Sequence, residues 1–218
     1  MPHSLQIHTI VSAPFEENTY VVWQNGRHDA LVIDPGLEPD FILSFLQQES
    51  LRVAAILNTH GHADHIGGNA AMKQAFPQAP LIIGCNEERL LSDANANLSA
   101  PFGFPIVSPP ADRLVREGDV IKAAGITLEV LDIPGHSPGH IVYLVRGEPC
   151  LVFGGDVLFR EGVGRFDFPG GNGKLLFQGI RDKLFSLLPD TVVYPGHGPV
   201  TTVGHEKRAN PFVGEMTG

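Results

Sequence analysis

The 218-residue chain is short of several things, and each shortage closes off a class of function. It has two cysteines, Cys85 and Cys150. Both sit in apolar stretches, LIIGC and CLVF, with no ligand spacing around them, so they read as small buried thiols in a reducing compartment rather than a disulfide framework. Positive charge is also scarce: 15 Lys and Arg face 24 Asp and Glu, for a net charge of −9. No basic run exceeds Lys207-Arg208. Nucleic acid and anionic membranes are therefore not expected partners. No apolar run approaches the roughly 18 residues of a membrane span. The opening MPHSLQIHTIV lacks the basic-then-apolar order of a secretory signal. A cytoplasmic location is expected.

What remains is an ordinary globular composition, 43% hydrophobic and 18% charged, with 25 glycines and 18 prolines dispersed along the chain. A chain of this length buries roughly 70% of its unfolded surface and needs no staples. No linker-like boundary breaks it, so one domain over residues 1–218 is expected. Short β-branched runs separated by turn residues predict strands at Leu5–Val11, Thr19–Gln24 and Ala30–Ile33. A helix is predicted over Leu37–Ser50, with Phe41, Phe45 and Leu46 on its apolar face, and another over Asn69–Phe76, stopped by Pro77. Strands follow at Val53–Leu57, Leu81–Cys85, Val120–Lys122, Ile126–Leu131, Ile141–Val145, Leu151–Phe153 and Thr191–Tyr194, with a helix at Leu175–Leu188. Residues 92–112 are irregular and read either as a functional lid or as a surface excursion. Two strand-rich halves, each followed by helices, predict a layered α/β fold: two sheets face to face, with helices outside.

The chemistry concentrates at strand ends. Val53–Leu57 runs into THGHADH, residues 59–65, where Thr59, His60, His62, Asp64 and His65 are all capable of touching a metal. On an extended segment His60 and His62 point the same way, while Asp64 and His65 lie where the chain bends and can face a second point. Imidazole and carboxylate suit zinc, iron or manganese. Further candidates follow apolar strands among glycines: His136 and His140 in PGHSPGH, Asp156 in GGD and His197 in PGHG. His3, His8, His28 and His205 lack that setting and read as surface or packing residues.

With Asp34 in VIDPG, these motifs occur in an order that resembles the metallo-β-lactamase-fold hydrolases, over about residues 16–200. The resemblance implies a four-layer αββα sandwich of two mixed β-sheets. It implies two divalent metal ions, zinc first and iron or manganese as alternatives. His60, His62 and His136 would bind one ion, Asp64, His65 and His197 the other, with Asp156 between them. Asp64 and Asp156 would also take part in catalysis, by a hydroxide held between the ions. Asp34 and Thr59 would orient the histidine loop, and His140 would support the site without binding metal. Zinc β-lactamases of the best-known type carry cysteine at the bridging position, which disfavours antibiotic hydrolysis.

GVGRFDFPGG (162–171), PGHGP and NPF (210–212) resemble the short glyoxalase II-like proteins. That implies hydrolysis of S-2-hydroxyacylglutathione or a related small-molecule acylthioester. Only 21 residues follow His197, too few for the helical C-terminal domain that helps full-length glyoxalase II hold glutathione. The family's substrate-binding lysine is Arg165 here, which would either clamp a substrate carboxylate or pair with Asp167. Alternatives within the fold are a mononuclear-iron persulfide dioxygenase, suggested by GRFDF, and a lactonase or phosphoesterase. A non-catalytic metal-binding protein lies outside them.

Overall fold

The computed structural model of the chain describes residues 5–215; His3 lies outside them. Strands β1 (Leu5–Ser12), β2 (Glu17–Gln24), β3 (Asp29–Ile33), β4 (Arg52–Leu57), β5 (Leu81–Gly84) and β6 (Arg113–Val115) form the first sheet in that order. Its first three strands are antiparallel neighbours, and β3 through β6 are parallel. The second sheet holds β7 (Val120–Ala123), β8 (Ile126–Asp132), β9 (Ile141–Val145), β10 (Leu151–Gly155), β13 (Val192–Pro195) and β14 (Thr201–Thr202), in the order 14-13-10-9-8-7. Only β10 and β13 run parallel in it. A two-stranded ribbon, β11 (Leu158–Phe159) with β12 (Gly162–Val163), follows β10.

The continuous apolar strands are explained by burial on both faces. In β3, Leu31 and Ile33 point into the core between the sheets, while Ala30 and Val32 point outward. Ile42 and Leu46 of α1 (Pro39–Gln48) and Met72 of α3 (Asn69–Ala75) meet them there. In β9, Ile141, Tyr143 and Val145 face the other sheet. Val142 and Leu144 face Leu176 of α5 (Gly173–Gly179), Ile180 and Leu184 of the π-turn that extends it, and Val203 of α6 (Val203–Ala209). A strand with period-two side chains and helices on its far side has no polar face. The layers are therefore helix, sheet, sheet, helix, as expected. Among the described residues no helix is long and apolar enough to cross a membrane.

Several local expectations need correction. Of the predicted apolar face of α1, Leu46 is buried and Phe45 packs against the same core, but Phe41 is 58% exposed and Ile42 is buried in its place. Phe45 also stacks on His8, with ring centroids 3.8 Å apart. The bend in THGHADH is a short helix, α2 (Ala63–Ile66), and His62 is the extended residue before it. A further short helix, α4 (Glu88–Ser92), follows β5. The cysteines are free, as read, but half-buried rather than core.

Candidate metal centre

Each candidate ligand sits just beyond a strand end: Asp34 after β3, Thr59 to His65 after β4, His136 after β8, Asp156 after β10 and His197 after β13. The two sheets bring these ends together. Ligand atoms of His60, His62 and His136 lie within 4.8 Å of one another, as do those of Asp64, His65 and His197. Asp156 stands between the groups. Its Oδ2 is 3.5 Å from Nε2 of both His136 and His197, and its Oδ1 is 3.4 Å from His65 Nε2.

The outer ring nitrogens decide which way the lone pairs point. Asp34 accepts from the Thr59 backbone N–H and hydroxyl, each at 2.7 Å, and from His65 Nδ1 at 3.1 Å. Because the Thr59 proton goes to Asp34, its oxygen is left to accept from His60 Nδ1, 3.1 Å away. His136 Nδ1 donates to the Arg165 carbonyl at 2.7 Å and His197 Nδ1 to the Phe15 carbonyl at 3.0 Å. Each of these four Nδ1 atoms is held by an oxygen acceptor, which turns Nε2 of His60, His65, His136 and His197 to the centre, the orientation a metal ligand needs. His62 Nδ1 then meets two lone pairs, His60 Nε2 at 3.1 Å and His136 Nε2 at 2.8 Å. Converging lone pairs without enough protons fit a cation. His65 Nε2 and Asp156 Oδ1 are buried with no hydrogen-bond partner, which fits it too.

The electrostatics agree. Burial, reinforced by neighbouring imidazoles, lowers His60 well below its ordinary range and His62 to about 3, so both are neutral at physiological pH. Burial opposes charge on His65 as well, but the carboxylates of Asp156 and Asp64 overcome it and raise that group: a proton stands where a cation would. Burial likewise works against the Asp156 carboxylate, yet His65, His136 and His197 hold it well below the usual range.

His140 faces a different duty. Its Nε2 accepts the Asp156 backbone N–H at 3.0 Å, and its ring stacks on His60 with centroids 4.6 Å apart. Arg165 makes a bidentate pair with Asp167, both bonds 2.9 Å, and lies 4.1 Å over the Phe168 ring. Of the two readings of Arg165, the ion pair is therefore formed. Arg165 is one of the residues lining a cavity of about 320 Å³ that also borders His62, Asp64, His136, Asp156 and His197. Two glycines pack against Asp156 so closely that side chains are shut out. A Cβ on Gly196 would overlap Asp156 Oδ1, and one on Gly164 would overlap the Asp156 carbonyl.

Sequence reasoning missed residues that hold the loops. Glu87, fully buried, accepts from Gly61 N–H at 2.8 Å and Gly139 N–H at 2.6 Å, tying the first histidine loop to the one bearing His136. Asn18 bonds the Pro195 and Gly198 carbonyls at 3.0 and 2.8 Å, and Tyr20 the Pro195 carbonyl at 2.6 Å, fixing the His197 loop. A signal for the second pair existed: polar ENT opens an apolar strand. Glu87, in NEER, looks like surface.

Replacing Asp34 with alanine frees both Thr59 and His65 from their acceptor. Metal affinity is expected to fall roughly 10–100-fold, measured by chelator competition; an unchanged affinity would assign Asp34 to the fold alone.

Two mixed sheets with a His/Asp cluster at their shared edge define a metal-dependent hydrolase fold. The family model of the Metallo-beta-lactamase superfamily matches residues 13–197, and the chain belongs to that superfamily. It is 37% identical over 212 residues to hydroxyacylglutathione hydrolase GloC of Haemophilus influenzae, covering 96% of this chain and 98% of that one. Among solved structures, it is similar to the BLEG-1 B3 metallo-beta-lactamase, with TM-score 0.91, 37% identity, and coverage of 95% of this chain and 99% of that one. It is also similar to TTHA1623 in a di-iron-bound form, with TM-score 0.82, 39% identity, and coverage of 94% and 99%.

Proposed function

We propose that this metal-dependent hydrolase is a glyoxalase II-like thioesterase that cleaves S-2-hydroxyacylglutathione or a related acylthioester. The observation that carries the reading is the near full-length similarity to a hydroxyacylglutathione hydrolase. The donor set supports two ions, with His60, His62 and His136 holding one, Asp64, His65 and His197 the other, and Asp156 between them. Zinc is the first expectation, and iron or manganese suits the same donors. Bound there, such ions supply Lewis acidity toward a carbonyl and a water acidified to near neutrality. Asp64 Oδ2 faces the cavity and His197 Nε2 at 3.3 Å, placed to accept a hydrogen bond from the attacking water.

The choice of thioester follows from what lines the cavity. No lysine, tyrosine, serine or cysteine is among its lining residues, and Arg165 is committed to Asp167. A thiolate, with a parent pKa of about 8.5, leaves without a proton donor; an amine does not. The metal-loaded protein is expected to hydrolyse S-D-lactoylglutathione with kcat/KM of at least about 10⁴ M⁻¹s⁻¹. A chelator and His62→Ala should each abolish it. Loaded protein that turns over no acylthioester would sink the reading. The GRFDF turn (164–168) keeps a second reading, the mononuclear-iron persulfide dioxygenase; oxygen uptake with glutathione persulfide, absent under the first, separates them.

A further inference from the structure

Much of the cavity lining is aromatic. Phe102 and Phe104, from the 92–112 segment, meet Phe15, with centroids 5.7 Å (Phe15–Phe102), 6.0 Å (Phe15–Phe104) and 6.2 Å (Phe102–Phe104) apart. Phe102 is left 57% exposed beside the opening. The segment is held firmly. Asn97, fully buried, donates to the carbonyls of Leu90 and Ile106, each at 3.0 Å, and accepts from the Ser99 N–H at 3.0 Å and hydroxyl at 2.6 Å. Its carbonyl accepts from Ala63 N–H at 3.0 Å, between His62 and Asp64. The residue caught in this knot is Leu98, which lines the cavity at φ +71°, a left-handed backbone that a leucine rarely adopts. Strain of this kind persists where the surroundings impose it, at binding sites above all.

We infer that this wall is an acyl-binding pocket selecting apolar acyl groups, an alkyl chain or an aromatic ring, over small hydroxyacyl groups such as lactoyl. The inference rests on the thioesterase reading and adds the substrate class to it. At about 320 Å³ the cavity is at the small end of ligand sites and accommodates one half of a thioester conjugate. Biological carrier thiols such as glutathione are polar and charged; four apolar side chains give them no hydrogen bond. The acyl half belongs there, and the polar carrier is left to the side of Arg165, the charged residue of the lining that is not part of the candidate centre.

Two measurements test it on the metal-loaded protein. In the first, kcat/KM is compared across S-lactoyl-, S-butanoyl-, S-hexanoyl- and S-benzoylglutathione. Hexanoyl and benzoyl are expected to exceed lactoyl about tenfold or more. In Phe104→Ala and Phe102→Ser the hexanoyl-to-lactoyl ratio should fall toward one. In the second, calorimetry compares hexanoate with lactate, and S-hexylglutathione with glutathione; the apolar member should bind at least tenfold tighter in each pair. Hydrolysis without acyl preference, or equal affinities, overturns the pocket and leaves the thioesterase standing. Tight apolar binding without hydrolysis of any thioester overturns the thioesterase and leaves the pocket. The second variant, at an exposed ring, guards against loss of fold.

Discussion

Asp156→Asn is expected to lower kcat/KM for thioester hydrolysis by about a thousandfold, the equivalent of several kcal/mol of lost charge stabilisation. The substitution keeps the shape of the side chain and changes only its charge and one donor. On the proposed ligand set the five imidazoles bind as neutral donors, so Asp64 and Asp156 would supply all of the ligands' negative charge. Asp156 is also the carboxylate within 3.5 Å of His65, His136 and His197 together. An asparagine amide there directs an N–H toward nitrogens whose lone pairs are meant for a cation, and removes half of the fixed charge in a buried site, where charge counts most. Metal content of the purified variant should drop below two ions per chain. A variant that retains both ions and activity within tenfold of wild type would remove Asp156 from the centre.

Glu87→Gln is expected to be nearly as damaging as Glu87→Ala, which is unusual for so small a change. Glu87 is not a ligand candidate; its two oxygens each accept one backbone N–H, from Gly61 and Gly139. Glutamine offers one acceptor and one donor, so its amide meets a backbone donor head-on and leaves a buried N–H unpaired. Leaving buried groups unsatisfied costs roughly 2–4 kcal/mol, or about 5–15 °C in a chain of this size. Metal affinity should fall with stability, because the two tied loops carry His60, His62 and His136. Thermal melts with and without added zinc check this. A Gln variant that melts within 2 °C of wild type, about 1 kcal/mol or less at this size, would show that the loops hold without the link.

The legible part of the molecule was the part where chemistry forces residue type. THGHADH, PGHSPGH, GGD and PGHG carry side chains that few other roles demand at that density, and each follows a strand apolar enough to recognise. The two-faced burial of β3 and β9 follows from the same apolar runs. What stayed hidden depends on three-dimensional partners. Glu87 looks like any surface acid until Gly61 and Gly139 are seen beside it. On α1 the apolar pattern admits Phe41 and Ile42 alike, and only packing against the first sheet shows that Ile42 is the buried one. Residues 92–112 lack periodicity, since beyond one 3-10 turn at Ala100–Phe102 their order comes from the Asn97 and Ser99 hydrogen bonds.

The close packing of Gly164 and Gly196 around Asp156 has a bearing on how such a molecule can change. A Cβ at either position collides with Asp156, so this part of the candidate centre is closed to gradual variation. The phenylalanines across the cavity are the opposite case. Phe102 and Phe104 make no hydrogen bond through their rings, and the knot that positions their segment runs through Asn97 and Ser99 instead. Their size can vary without disturbing the ligands. On the proposed reading, new substrates are accessible by altering one wall, residue by residue, while the candidate metal centre is inherited whole.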